Sequence, residues 1–311
     1  MSGRGAKSMR IGMVGLGRMG GNMAQRLLQG GHEVVAHARD AATVDACVAH
    51  GALPAHSLDE LVAQLPAPRT IWLMVPAGAA TEGVISSLTG LVARNDLIVD
   101  GGNSYYKESM RRAAALAARG VLYADCGTSG GIWGLKEGYS LMLGATPEAA
   151  ERLKPALKTL APAPDLGWAH VGPNGAGHFV KMVHNGIEYA LMQAYAEGFE
   201  LMLRKSEFKL DLPQIAEVWQ TGSVVRSWLL DLTAAALKEN PALGGIAPYV
   251  EDSGEGRWTA IEGIELGVPL PTISLALFER FNSRNRDSFA YKILAAMRNQ
   301  FGGHAIRKET A

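Results

Sequence analysis

Short apolar runs alternate with amphipathic stretches through the first half of the chain. RIGMVG, starting at Arg10, precedes a helical pattern that runs to about Gln29. HEVVAH makes the next strand and AATVDACVAH the next helix. TIWLMV and DLIVD are continuous apolar runs, as expected of strands buried on both faces, and VLYADC adds another. Helix starts carry their own chemistry. SLDE at Ser57 is a capping box, and Thr146 with Pro147 places a cap and a first-turn proline ahead of EAAERLKPAL. Strands alternating with helices predict an α/β fold built on a doubly wound parallel sheet. After VGPNGAG the texture changes and strand patterns stop. Helical periodicity then predicts helices over about 178–204, 212–220, 223–238, 256–266 and 272–299. Two domains are expected: residues 1–171, carrying the sheet, and an all-α domain over residues 172–311, ending in a tail.

The first turn carries a glycine signature. Gly15, Leu16, Gly17, Arg18, Met19 and Gly20 spell G-x-G-x-x-G directly after the first strand and at the mouth of the first helix. In that context the first glycine permits the tight turn, the second lets backbone approach a pyrophosphate, and the third lets helix pack on strand. The helix N-terminus then offers unpaired N–H groups and a positive dipole end to the phosphates. The first domain therefore reads as a Rossmann dinucleotide-binding unit. At the end of the second strand an acid would hold the ribose of NAD, whereas an arginine favours the 2′-phosphate of NADP. The residues there are Ala38, Arg39 and Asp40, which tilts the reading toward NADP and leaves NAD open. Val75, at the end of TIWLMV, is a further cofactor-side candidate.

The helix opening at about residue 178 poses a separate problem. Phe179, Val180, Met182, Val183, Ile187, Ala190 and Leu191 make it apolar nearly all round. Yet Lys181, His184, Asn185 and Glu188 recur at spacings of three, four and seven, on one face. Ionisable groups inside an apolar helix must line a cavity or pair with one another, because burying them alone is costly. A lysine in a dry pocket loses its proton more readily and can act as a base, and a glutamate kept neutral there can act as an acid. Gly186, inside the stripe, marks a place where something approaches the backbone closely.

Composition sets limits. The chain has 311 residues, 48% hydrophobic, with 30 basic and 30 acidic side chains, so nothing points to a general nucleic-acid or anionic-membrane binder. No apolar run approaches the roughly 18 residues of a membrane span. The opening MSGRGAKSMR lacks the apolar core of a signal peptide, and Cys47 and Cys126 have neither disulfide nor metal-ligand spacing. A soluble cytoplasmic protein is expected. His170, His178 and His184 lack paired ligands, so no metal site is expected.

VDGGNS, GTSGG, GPNGAGHFVKMVHNGIEYALMQAYAEGFE and GRWTAIEGIELGVPLPTI resemble the 6-phosphogluconate dehydrogenase family, decarboxylating enzymes of the β-hydroxyacid dehydrogenase superfamily. The resemblance runs from Met13 to His304, and the length is similar to the family's short form, which lacks a duplicated helical half. It implies an oxidoreductase of the pentose phosphate pathway and gluconate utilization, making ribulose 5-phosphate and carbon dioxide while reducing NAD or NADP. Lys181 then matches the base, Glu188 the acid, and Asn185 and His184 substrate ligands. Asn103 matches a residue touching cofactor and substrate, and Ser129, Gly130 and Gly131 match the loop at the carboxylate end. Tyr189, Ser253 and Arg280 fall at the phosphate end, with Arg257 as a further candidate cation. RNQFGGH is similar to a C-terminal segment that reaches the neighbouring subunit's site, so Arg298 and His304 would act in trans and the chain would form a homodimer or larger assembly.

The sequence departs from the long form in three places. Ser253 stands where a phosphate-binding lysine precedes GTGKWT, Pro76 replaces a lysine near the cofactor, and Ile132 and Trp133 replace two acids. Two other readings compete: a non-decarboxylating 3-hydroxyisobutyrate or tartronate-semialdehyde type dehydrogenase, and a non-catalytic dinucleotide sensor. The first needs neither Glu188 nor phosphate ligands, and the second needs no acid.

Overall fold

The computed structural model describes residues 8–307. The opening MSGRGAK therefore lies outside the described residues. Two compact units divide the chain between Asn185 and Gly186.

The first unit alternates as the pattern predicts: β1 (Arg10–Val14), α1 (Arg18–Gln29), β2 (Glu33–His37), α2 (Ala41–Val48), β3 (Leu53–Pro54), α3 (Leu58–Ala63), β4 (Thr70–Leu73), α4 (Ala79–Thr89), β5 (Leu97–Asp100), α5 (Tyr106–Ala117) and β6 (Leu122–Ser129). Then come α6 (Gly134–Glu137), β7 (Ser140–Ala145), α7 (Pro147–Leu160), β8 (Trp168–Gly172) and the start of α8 (Ala176–Arg204). The strands form one sheet in the order β3-β2-β1-β4-β5-β6-β7-β8. Pairing is parallel except between β6 and β7, where Thr128 faces Leu141 in an antiparallel ladder.

Strand alternation explains why the sheet is covered on both sides. Ile11, Met13, Trp72, Leu97 and Val99 join one buried cluster with Met23 and Leu27 of α1 and Leu153 and Leu157 of α7. Val35, Ile71, Leu73 and Ile98 join another with Leu61, Ile85 and Leu116. Successive side chains point to opposite faces, so runs such as TIWL must be apolar throughout.

Helix starts divide into two kinds. Asp40, Ser57 and Thr146 cap α2, α3 and α7 by accepting from the backbone N–H groups of Ala42, Glu60 and Ala149. By contrast, α1 begins at Gly17 with no side-chain cap and no acid in its first turn, and α4 begins behind Gly78 without a side-chain cap.

The second unit contains the remainder of α8, then α9 (Leu212–Gln220), α10 (Trp228–Glu239), α11 (Glu255–Leu266), α12 (Pro271–Arg284) and α13 (Phe289–Gly302). Phe199, Leu212, Ala216, Leu230 and Leu237 form its larger core cluster. The pattern predicted one helix over 272–299, but the chain breaks after Arg284 within SRNRDS. Asn285 leaves helical geometry, and the Ser288 hydroxyl accepts from Tyr291 N–H to start α13. Likewise α10 starts at Trp228, five residues later than its periodicity implied, because Ser227 caps it.

Candidate active site

The glycine loop of the first unit borders a cavity of about 790 Å³. Gly15, Leu16, Gly17, Met19, Arg39, Val75 and Asn103 line it. The three glycines do three different jobs. Gly15 has a φ of +90°, and an added Cβ would stand 2.5 Å from the Met74 carbonyl oxygen. At Gly17 an added Cβ would meet nothing within 4 Å, so its backbone faces open space. At Gly20 it would come within 2.0 Å of the Gly15 carbonyl oxygen, so α1 packs directly on the turn. An open backbone beside an uncapped helix N-terminus fits a pyrophosphate, and the cavity fits a dinucleotide. Two predicted cofactor residues do not line it: Gly20 is buried, and Arg18 begins α1 as an exposed side chain. Ala38, Arg39 and Asp40 all line the cavity, and Asp40 also caps α2, accepting from Ala42 N–H at 3.2 Å.

The loop after β5 is shaped from behind. Asp100 is fully buried. Its Oδ1 accepts from Gly102 N–H at 3.1 Å, and its Oδ2 accepts from Ser104 at 2.7 Å and Tyr123 at 3.2 Å. Arg112 reaches the same oxygen at 3.4 Å and is held from its other side by Glu82 and Glu108. These bonds fix the Gly101–Ser104 turn that presents Asn103 to the cavity. Sequence reading passed over Asp100 and Arg112. The available signal was an acid closing a buried apolar strand in DLIVD.

Asp125, at the same level of β6, anchors the start of α8. Its carboxylate accepts from the backbone N–H groups of Gly175 at 2.6 Å and His178 at 2.9 Å. Burial raises its pKa, against the pull of His178 and those two N–H groups. One turn on, Lys181 Nζ donates to Asn185 Oδ1 at 2.7 Å, and His184 Nδ1 lies 3.1 Å from the same oxygen. His184 Nε2 faces the Ser129 hydroxyl at 3.4 Å. Ser129 ends β6, and Gly130 and Gly131 follow with φ of +133° and +53°, a turn open to glycine but hostile to other residues.

The stripe thus exists, but its surroundings invert the expectation. Lys181 and Asn185 are only 6% and 8% exposed, whereas Ile187 is 49% exposed and Val180 and Leu191 are exposed too. Within one chain the polar face is the buried one.

Close approach of β6 holds Lys181 in place. A Cβ at Gly127 would stand 2.4 Å from Lys181 Cβ and 2.8 Å from the Gly177 carbonyl oxygen, both rigid neighbours. Gly127→Ala is expected to destabilise the protein by about 1–3 kcal/mol, as overpacking does, which urea unfolding would measure. A variant as stable as the parent would show that the strand and helix can part without cost.

In the second unit, Tyr189 lies over Gly256, where an added Cβ would meet its ring at 2.6 Å. The close approach predicted at Gly186 comes from Thr259 of α11, whose Cγ2 is 2.8 Å from the position a Cβ would take. Arg280 stacks on the Tyr189 ring, 3.5 Å from its centroid, and donates to the Glu251 carbonyl at 2.7 Å. Ser253 N–H donates to the Tyr189 hydroxyl at 3.0 Å. Tyr189, Ser253 and Arg280 therefore lie together in the second unit. Arg257 instead pairs with Asp252 at 3.0 Å, as does Arg284 at 2.9 Å. Burial pushes the Asp252 carboxyl up, but the hydrogen bonds and charges of these arginines outweigh it and hold the carboxyl below its usual range. Glu188 is half-buried on α8, and Arg298 and His304 are exposed. FGGH ends α13, with Gly303 in the left-handed region and Asn299 donating to the His304 carbonyl.

Residues 10–172 match the NAD binding domain of 6-phosphogluconate dehydrogenase, and residues 177–292 match the 6-phosphogluconate dehydrogenase C-terminal domain. The chain belongs to the 6-phosphogluconate dehydrogenase family. The NAD(+)-dependent, decarboxylating 6-phosphogluconate dehydrogenase of Haloferax volcanii is 45% identical over 97% of this chain and 99% of its own. The decarboxylating 6-phosphogluconate dehydrogenase of Candida albicans is 39% identical, and the match covers 87% of this chain and 55% of that longer one. A solved 6-phosphogluconate dehydrogenase from Plasmodium falciparum, described with its cofactor NADP+ and its substrate 6-phosphogluconate, superposes with a TM-score of 0.80 at 28% identity. It covers 97% of this chain and 66% of that one. The 6-phosphogluconate dehydrogenase family thus includes chains of this length and substantially longer ones.

Proposed function

We propose that this chain oxidises 6-phosphogluconate at its 3-hydroxyl and releases the carboxylate as carbon dioxide, giving ribulose 5-phosphate with NAD or NADP as acceptor. The observation that carries this reading is the buried lysine–amide pair, Lys181 on Asn185 at 2.7 Å, in a helix that leaves Val180, Ile187 and Leu191 exposed. When bound, the dinucleotide accepts the hydride from carbon 3. Lys181, neutral at the outset, takes the 3-hydroxyl proton as that hydride leaves. It then returns the proton to the new keto oxygen while the carbon–carbon bond to the carboxylate breaks. Carbon dioxide departs and an enediol remains. Glu188, protonated, gives its proton to carbon 1 of the enediol as Lys181 takes back the enol proton, and a final transfer restores both groups. Asn185 orients Lys181. Ser129, Gly130, Gly131 and His184 hold the carboxylate end, Tyr189, Ser253 and Arg280 the phosphate end, and Asn103 meets both cofactor and substrate.

A second copy of the chain belongs to this reading. Phe289, Tyr291, Leu294 and Met297 of α13 are all exposed, more apolar surface than an isolated helix face leaves in water. A homodimer that covers them would bring Arg298 and His304 to the neighbouring copy's substrate. The enzyme would work in the cytoplasm, in the pentose phosphate pathway. No helix among the described residues is long and apolar enough to cross a membrane.

The test supplies 6-phosphogluconate with NAD⁺ and, separately, NADP⁺, and measures reduced cofactor and carbon dioxide. Equal yields are expected. Reduced cofactor without carbon dioxide would instead mark a plain hydroxyacid dehydrogenase. The faster cofactor decides what Arg39 does.

A further inference from the structure

Glu255 opens α11 and is 2% exposed, yet its Oε1 has no hydrogen-bond partner among the described residues. Its other oxygen, Oε2, accepts from the Ser253 hydroxyl at 2.5 Å. Ser253 Oγ in turn lies 3.1 Å from the Tyr189 hydroxyl, which already accepts from Ser253 N–H at 3.0 Å. In that bond the Ser253 hydroxyl is the donor, so its proton points to Glu255. Ser253 Oγ is then left as an acceptor, and the Tyr189 proton points to Ser253. Both hydroxyl protons face inward along one chain that ends on Glu255.

The consequence concerns the phosphate end. A phosphate dianion only accepts hydrogen bonds. Ser253 and Tyr189 offer it lone pairs, and a buried carboxylate stands behind them. Of the three ligands Arg280 alone brings a positive charge, and the neighbouring Arg257 and Arg284 are engaged by Asp252. A terminal hydroxyl on the ligand, which can donate, suits the same two oxygens.

We propose that Glu255 is a positioning residue that sets specificity at the phosphate end: it turns the Ser253 and Tyr189 protons away from the ligand, weakening the grip on phosphate and improving tolerance of a terminal hydroxyl. This rests on the assignment of Tyr189, Ser253 and Arg280 to that end of 6-phosphogluconate. Specificity here comes from a repulsive element as much as from attraction.

Glu255→Gln keeps the shape and removes the charge, and its amide N–H₂ can donate to Ser253, releasing that hydroxyl proton toward the ligand. KM for 6-phosphogluconate is expected to fall about five- to tenfold, on the scale of one partly screened charge, with kcat changed less than about twofold. Inhibition by inorganic phosphate should strengthen by a similar factor, while inhibition by gluconate should weaken. A general loosening of α11 would weaken both. A KM at or above the parent value, or two inhibitors moving in the same direction, overturns the proposal. If Glu255→Gln does not fold, Ser253→Ala cuts the same chain and frees the Tyr189 proton. KM should then fall about twofold, and a KM that stays or rises counts against Glu255. A parent protein that turns over no 6-phosphogluconate removes the substrate assignment itself, and this inference with it.

Discussion

Lys181→Met will bind NAD⁺ or NADP⁺ about as tightly as the parent and will turn over 6-phosphogluconate about a thousandfold or more slowly. Methionine matches the lysine stem in length and removes only the ammonium group. Lys181 lines no part of the 790 Å³ cavity, so dinucleotide affinity, read by titration calorimetry, has no reason to change. Asn185 Oδ1 keeps His184 Nδ1 at 3.1 Å, so its loss of the 2.7 Å bond to Lys181 does not strand a buried acceptor. What disappears is the proposed base for the hydroxyl proton, and a positioned base is worth about 10²–10⁴ in rate. Because the proposed mechanism uses Lys181 in every proton transfer, the loss should lie at the upper end. Turnover within about tenfold of the parent would sink the mechanism.

Glu188→Gln should lose about two to three orders of magnitude in kcat, through a different step. Glutamine keeps the volume of a half-buried side chain but cannot deliver a proton to carbon 1. Oxidation and loss of carbon dioxide still proceed, and the enediol then waits. Two measurements separate this from a general defect. The isotope effect from deuterium at carbon 3 should shrink toward unity, since hydride transfer no longer limits. Exchange of the carbon 1 proton of ribulose 5-phosphate with solvent, expected of the parent, should be lost. A variant that retains that exchange would move the acid elsewhere.

The parts of the fold that were legible in the sequence share a cause. TIWL and LIVD are buried on both faces, so their composition alone marks them, and the glycine loop announces its turn by position. The strands that escaped have weaker signals. WAHVG in β8 is an edge strand with largely exposed side chains, and SLMLGA in β7 runs antiparallel and carries a polar start. The break between α12 and α13 hid because SRNRDS is short and wholly polar, as a solvated helical turn can also be, and apolar positions resume at Phe289. Only the hydroxyl of Ser288 decides where the new helix starts. The polar stripe was legible as a set, since spacing along a helix is fixed by geometry. The burial of the apolar side chains around it was misjudged, because periodicity shows which residues share a face, not which face the chain itself covers. The supporting carboxylates, Asp100 and Asp125, were illegible as supports. Their partners lie as far as 53 residues away in sequence, and no local pattern records them.

Around the large cavity, α1 and α4 open with no side chain capping the first turn, whereas α2 and α3, which also reach it with their first turns, are capped by Asp40 and Ser57. At α1 the uncapped turn sits behind the open backbone of Gly17, and a bound dinucleotide would complete it. Its phosphate oxygens would supply the acceptor that a serine or aspartate supplies elsewhere. The opening turn of α1 and the recognition of the cofactor then use the same backbone N–H groups, and a side chain that capped that turn would compete with the phosphates for them.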